Sequence, residues 1–265
     1  IPIIGTMNDI ENTSKKDLQN WYKSYYKPNN AVVIIAGNFD NNRVKKYIEK
    51  YYGSIKNQRY DIPESTPLEF KTKKYFEVYE DVSKPIIFLS FKKPEFNEDE
   101  IRQIYAFDLF LEVMDGGYSS RLTQNLVNTK KVALDTFISN DTYNQYPNLV
   151  IVAGTPRDNV KPIDLKSHLL EQFSNESIDT ITDEELSSAK ARLKANNIYK
   201  FDSVFYQAMQ VGMLETKNLS WRLLDEYYNI SESLTLEEIK KASIEVNDLN
   251  KVTELPCDAI ELSKR

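Results

Sequence analysis

Histidine and cysteine each occur once in the 265 residues, as His168 and Cys257. A single cysteine excludes an intramolecular disulfide framework, although it assigns no compartment. A single histidine excludes a catalytic metal centre built on two imidazoles of this chain. Long apolar runs are also missing: the longest, Ala31 to Gly37, is far short of the roughly 20 residues that a membrane-spanning helix needs. There is no excess of positive charge. With 34 Lys and Arg against 40 Asp and Glu, the net charge is −6, which argues against a general phosphate-binding surface and so against nucleic acid as a partner. The chain opens Ile-Pro-Ile-Ile-Gly, with no basic segment ahead of an apolar one. No targeting signal is legible there, and a soluble periplasmic or cytoplasmic setting stays open. No tandem repeat of short period is visible either.

What is present is ordinary for a soluble globular protein, with 41% hydrophobic and 28% charged residues. That is enough for a large core and for two unequal domains. Ser14-Lys-Lys-Asp17 is a capping box, and Leu18, Trp21, Tyr22 and Tyr25 follow at helical spacing, so an amphipathic helix is expected up to about Pro28. Ala31–Ala36 is a β-branched run expected to form a strand covered on both faces. Gly37-Asn-Phe-Asp40 then turns into a second helix with Val44, Tyr47, Ile48 and Tyr51 as its buried stripe. Residues 1–53 thus end one domain. Residues 54–68 are polar, contain two prolines and carry no period, as expected of a linker.

Residues 69–265 read as a second domain. Strands are expected near Lys71–Tyr79 and Ile86–Phe91, then a helix over Asp99–Met114 closed by Asp115-Gly-Gly117. A shorter helix, Ser119–Val127, leads to paired strands at Val132–Thr142 and Leu149–Ala153, with Tyr143–Pro147 as their turn. The rest is expected to be helical, with helices opened by Pro162, by Thr182-Asp-Glu-Glu185 and by Thr235-Leu-Glu-Glu238, and a last strand at Lys251–Leu255. Strands first and helices after imply an α+β class: a mixed, mostly antiparallel sheet covered by helices in two-layer units.

Three stretches resemble one family. The first runs from Pro2-Ile-Ile-Gly5 through Asp9-Ile10 to Tyr25-Tyr-Lys-Pro-Asn-Asn-Ala31-Val-Val-Ile-Ile-Ala-Gly37-Asn-Phe-Asp40. The second is Gly116-Gly117-Tyr118-Ser119-Ser120-Arg121-Leu122, and the third Thr182-Asp-Glu-Glu-Leu186-x-x-Ala189-Lys190. Their order and spacing are similar to the insulinase/mitochondrial-processing-peptidase family of zinc metallopeptidases, several of them bacterial. The resemblance places residues 1–53 at the end of the zinc-bearing first domain and residues 69–265 in the non-catalytic second domain. Family enzymes carry an inverted zinc motif, His-x-x-Glu-His, early in the first domain. Two imidazoles and a carboxylate hold the metal there, and the motif Glu takes the proton of the bound water.

One histidine cannot make that motif, so the resemblance implies no catalytic and no metal-ligating residue in this chain, with zinc expected in the parent protein. His168-Leu-Leu-Glu171-Gln172 imitates half of the motif, but it lies in the wrong domain and on an ordinary apolar helix stripe. Leu109–Val113 is the counterpart of the zinc helix if the two domains are copies of one fold, and packing is expected for Glu112. Gly116, Gly117, Ser119, Ser120 and Arg121 form the segment that could face substrate. A structural role for Arg121 is favoured, with the glycines shaping the backbone and Ser119 or Ser120 capping a helix. In relatives an Arg and a Tyr beyond this segment face the active site, where they can bind substrate carbonyls and an oxyanion. Val127 and Leu134 stand at those positions here, and neither side chain can donate a hydrogen bond. Lys130 and Lys131 nearby read as a solvated turn.

The expected partners follow from the resemblance. They are the zinc-bearing first-domain residues of the same polypeptide, a peptide substrate, and a second subunit that carries the Arg/Tyr pair. The leading expectation is the rear portion of a zinc endopeptidase. Two others stand beside it: a non-catalytic scaffold or partner subunit, and a peptide-binding module that uses an exposed strand edge.

Overall fold

The computed structural model describes residues 5–56, 75–79, 83–94, 96–145, 149–251 and 259–263. These divide into two units: residues 1–65 with 201–221, and residues 66–200 with 222–265.

In the first unit capping chemistry sets every long helix start. Thr6 accepts from the Asp9 amide ahead of α1 (Met7–Asn12), and Ser14 does the same for Asp17 ahead of α2 (Lys15–Tyr25), each pair completing a capping box. Asp40 accepts from the Arg43 amide at 2.7 Å and starts α3 (Asn41–Tyr52). The caps match the sequence pattern, whereas the burial does not. None of the three helices buries a residue, and Leu18, Trp21, Tyr22, Tyr47 and Tyr51 are all exposed. Ala31–Ala36 is not in a strand ladder, contrary to expectation. A β-branched run becomes a strand only when a neighbour takes its backbone hydrogen bonds, and no described residue of this unit does. The fourth helix of the unit, α8 (Val204–Thr216), approaches this extended run closely: a Cβ added at Gly212 would lie 2.9 Å from Ile34 Cδ1.

The second unit is built on one sheet and one central helix. The sheet has five strands, β1 (Tyr75–Tyr79), β2 (Ile86–Lys92), β3 (Ala133–Ser139), β4 (Leu149–Pro156) and β5 (Ala259–Ser263), in the order β1-β5-β2-β4-β3. Only β1 and β5 run parallel; β5–β2, β2–β4 and β4–β3 are antiparallel. The class is α+β with a mixed, mostly antiparallel sheet, as the pattern implied. Of the expected last strand, Lys251 ends a helix and Val252–Leu255 lie outside the described residues; a strand is present at Ala259–Ser263. Most of the expected linker, residues Lys71–Lys74 and the Tyr146-Pro147 part of the hairpin turn also lie outside them.

Helix α4 (Ile101–Asp115) buries Ile104, Tyr105, Ala106, Phe107, Leu109, Phe110, Leu111, Val113 and Met114. A helix apolar on nearly all sides belongs in the middle of a core. It packs against β3, α9 (Leu223–Ser233) and α10 (Leu236–Lys251), while α5 (Pro162–Gln172) covers β2 and β4. Alternation along the strands sends Ile87, Leu89, Phe91, Val150 and Val152 to the helix side. Phe91 and Phe110 meet Phe173 with ring centroids 5.5 and 6.3 Å apart. Each such side chain, fully buried, contributes about 1.5–3 kcal/mol relative to exposure. On the opposite sheet face the half-buried Phe88 meets Phe137 edge to face at 6.3 Å, and Phe137 is 45% exposed.

Candidate functional site

The glycine-rich segment follows the end of α4. Gly116 takes the C-cap and donates to the Glu112 carbonyl at 2.8 Å. Gly117 has φ +137°, a region that L side chains rarely adopt, so this position requires glycine. Ser120 does not cap a helix as expected. Its hydroxyl donates back to the Gly117 carbonyl at 2.5 Å, because the turn leaves that carbonyl facing it. The Ser119 hydroxyl accepts from Arg192 Nη1 at 2.8 Å and is likewise used to hold the turn.

Arg121 is 8% exposed and fully engaged in an internal clasp. Nε and Nη2 donate to the two carboxylate oxygens of Glu185 at 2.8 and 3.0 Å. Nη1 donates to the Ser177 carbonyl at 2.6 Å and to Thr180 Oγ1 at 3.0 Å. The planar fork matches the carboxylate and ties the turn to α6 (Asn175–Asp179) and to the start of α7 (Asp183–Phe201). Burial pushes the Glu185 carboxyl up. The bonds from Arg121 and from the Thr182 amide outweigh this and hold it below its ordinary value. Glu185 also closes the capping box with Thr182. The second and third sequence stretches are therefore joined by one ion pair.

Two further side chains extend the clasp along α7. Arg192 donates from Nη2 to the Glu112 carbonyl at 2.9 Å and from Nε to Glu112 Oε1 at 3.4 Å. Lys190 Nζ donates to the carbonyls of Glu232 and Leu234 at 2.8 and 2.6 Å. Both residues fill the helix end with cations where unpaired carbonyls gather.

After the turn the chain is wound as a π-helix over Thr123–Thr129, where an ordinary helix was expected. Val127, within it, packs against the core, and Leu134 occupies a break in register between Ala133 and Asp135 on β3, where it is 39% exposed. A bulge of this kind re-aims one side chain out of the ladder. Neither side chain offers a donor, and the Arg157 guanidinium is spent on the carbonyls of Ala133 and Val127 at 3.2 and 3.4 Å. Lys130 pairs with Glu171 at 2.8 Å, and Lys131 has φ +53°.

A zinc ion does not fit the residues present. His168 Nδ1 lies 3.4 Å from Glu171 Oε2, but that oxygen also takes the Lys130 ammonium. One imidazole and a carboxylate already neutralised by a lysine do not make a tetrahedral donor set. Among the described residues no group of three or more His, Cys, Asp or Glu side chains is placed to hold a metal. Glu112 is half-buried beside Arg192. Burial raises its carboxyl to about 7 against the opposing pull of that arginine. Asp115, one turn on, is raised to about 6 by burial, opposed by hydrogen bonds from the Ile138 amide and Thr136.

Sequence reasoning missed two polar anchors. Asp108 accepts from Asn140 and Thr142 at 2.9 and 2.8 Å and from the Tyr227 hydroxyl. Burial and the Asp108 charge raise that tyrosine well above its ordinary value. Lys93, 2% exposed, donates to the carbonyls of Asp141, Thr142 and Asn144 at 2.6, 3.0 and 3.3 Å. Both fix the start of the β3–β4 connection. A polar residue inside an apolar period is the only trace Asp108 leaves in the sequence, and Lys93 leaves none.

Comparison with known proteins agrees with this architecture. Residues 12–193 match the peptidase M16 inactive domain. Over 208 residues the chain is 30% identical to the zinc protease PqqE of Helicobacter pylori, covering 76% of this chain and 45% of that protein. Over 238 residues it is 26% identical to the zinc protease YmxG of Bacillus subtilis, covering 90% and 56%. The chain thus spans about half the length of the curated relatives it matches. A crystal structure of a protease from Helicobacter pylori superimposes with a TM-score of 0.84 at 24% identity, over 97% of this chain and 61% of that one. The peptidase M16 inactive domain from Pseudomonas fluorescens does so with 0.76 at 16%, over 97% and 59%. The clasped glycine turn, the sheet with its central helix, and a family match over most of the length lead to one statement: the chain belongs to the peptidase M16, or insulinase, family, and carries its inactive domain.

Proposed function

We propose that this chain is the rear portion of a zinc-dependent endopeptidase. Residues 1–53 end the zinc-bearing first domain, 54–68 link, and 69–265 form the non-catalytic second domain that walls the substrate chamber. The observation that carries this reading is the state of the first unit. Its three N-terminal helices bury nothing, and its apolar run Ala31–Ala36 is extended without a ladder partner. A segment that leaves Trp21, Tyr22, Val32, Val33 and Ile35 exposed lacks the apolar burial needed to offset its ordering entropy. It is therefore part of a larger domain, whose further strands take up those hydrogen bonds.

The chemistry of the site supports the division of labour. Arg121, the strongest cation of the glycine-rich segment, is consumed by the clasp, and Val127 and Leu134 cannot donate to a substrate carbonyl. The parent polypeptide then contributes the zinc-bearing domain and this chain its shape, while a second subunit supplies the Arg/Tyr pair. The sheet face that carries the exposed Phe137 is the surface offered to an extended, unfolded peptide.

Metal analysis and peptide hydrolysis test the proposal, on this chain alone and on the chain extended by the residues encoded before Ile1. The expected result is no stoichiometric zinc and no hydrolysis for the chain alone. The extended chain should bind one zinc through a His-x-x-Glu-His segment. Zinc-dependent hydrolysis by the present chain overturns the proposal. An upstream sequence without the motif favours the non-catalytic scaffold reading instead.

A further inference from the structure

The order β1-β5-β2-β4-β3 leaves β3 at an edge of the sheet. Edge strands expose backbone donors and acceptors that template pairing with another chain, and folded proteins block them by specific means. In β3 the side facing away from β4 is already occupied at its centre. The Ile138 amide donates to Asp115 Oδ2 at 2.6 Å, and Thr136 Oγ1 lies 3.5 Å from Asp115 Oδ1. Residues two apart on a strand direct their backbone groups to the same side, so the Thr136 and Ile138 amides form the pair that an incoming antiparallel strand would use. The carboxylate sits where that strand's carbonyl would sit.

The placement of Asp115 has a cost that calls for an explanation. It is the last residue of α4, where the helix dipole disfavours negative charge, and it is half-buried. Burial disfavours its charged form. A residue serving only to end a helix would be better as Asn or Lys. Two other features work in the same direction on the same strand: the bulge at Leu134 and the exposed charge of Asp135. The strand itself is a hazard, since Phe137 is 45% and Leu134 39% exposed. An identical strand is present in every other copy at equal concentration.

We infer that Asp115 is a plug on the β3 edge, holding the hydrogen-bonding site that β3 of a second copy of this chain would otherwise take. The inference stands independently of the proposed peptidase role, because it concerns only the sheet and the end of α4. It also runs against the edge-binding module considered from the sequence, since this edge is closed by the chain's own side chain.

The test uses the whole chain at several concentrations, with sedimentation as readout and the wild type as reference. Asp115→Ala removes the plug and should yield a larger, concentration-dependent species. Asp115→Asn keeps an acceptor for the Ile138 amide and should sediment as the wild type does. Adding Thr136→Pro to Asp115→Ala removes an outward amide without touching the ladder to β4, and should restore the wild-type size. A folded Asp115→Ala variant of wild-type size at every concentration overturns the inference. If that variant does not fold, amide hydrogen exchange on the wild type decides. The Ile138 amide should exchange at least about tenfold more slowly than the Thr136 amide, in line with a bond held against local opening. Equal rates would sink the plug.

Discussion

Replacing Arg121 by Ala should destabilise the second unit strongly, for a reason that separates a structural from a substrate-binding role. The substitution removes five donated bonds and leaves the Glu185 carboxylate, its side chain 30% exposed, without the guanidinium that faces it. Breaking a buried pair from one side costs about 3–5 kcal/mol, and the partial exposure of Glu185 places this case near ~3 kcal/mol. With a urea dependence of about 2 kcal/mol per molar for a unit of this size, the midpoint should fall by roughly 1.5 M. Both tryptophans, Trp21 and Trp221, belong to the first unit, so backbone circular dichroism is the appropriate probe. Arg121→Lys keeps the charge but not the fork and should lose about half as much. In a double-mutant cycle with Glu185→Ala, the two losses should fall short of additivity by about 1.5–3 kcal/mol. An Arg121→Ala midpoint within about 0.3 M of the wild type, with the fold retained, would refute the clasp and return Arg121 to the list of substrate-facing residues.

Three other expectations can be checked with the same unfolding assay. Glu112 and Asp115 have carboxyls raised to about 7 and about 6, so the folded state binds their protons at higher pH than the unfolded chain does. Stability should therefore rise as pH falls from about 8 to about 5, by on the order of 2 kcal/mol for each group. Below the ordinary carboxylate range it should fall again, because Glu185 is held low and Glu238, paired with Arg102, is held near 2. Glu112→Gln should flatten the rise, and a wild-type stability that increases from pH 5 to 8 contradicts the assignment. Lys93→Met retains the stem but leaves the carbonyls of Asp141, Thr142 and Asn144 without the ammonium. It should cost about 2–3 kcal/mol, and a loss under about 0.5 kcal/mol would show those carbonyls satisfied in another way. The Ser231 hydroxyl is buried and has no hydrogen-bond partner among the described residues; Ser231→Ala should be neutral to stabilising by about 1 kcal/mol, and a loss of similar size would imply a partner.

Local chemistry was legible in the sequence wherever a short stretch suffices to make it. The capping boxes at Ser14, Thr182 and Thr235 appear as written, because each needs only a side chain and an amide three residues on. The α+β class followed from periodicity and from the order of elements. Features that depend on distant residues were not legible. Ala31–Ala36 has the composition of a strand, but a strand is a pairing, and composition does not supply the partner. The position of β5 between β1 and β2 depends on long-range pairing that the tail sequence does not encode locally. The π-wound turn after Leu122 and the bulge at Leu134 both alter a period without leaving a Gly or Pro to mark it.

The site illustrates the same division more sharply. Gly117 could be read correctly, since a φ of +137° has a residue type that suits it. Arg121 could be placed in a motif but not given a partner, because Glu185 lies 64 positions away. The clasp explains why the two stretches that carry the family resemblance within this domain occur together in a chain with a single histidine. Gly116–Leu122 and Thr182–Lys190 form one mechanical unit: a turn that only glycine can make, an arginine fork, a carboxylate that also caps its own helix, and a lysine that closes the far carbonyls. Losing any one part leaves a buried charge or an open carbonyl, so the set is held by folding alone. A signature of this kind reports the architecture of the family and is silent on catalysis. In this chain the arrangement of Arg121 and Glu185 would be required whether or not a peptide is ever cut beside it.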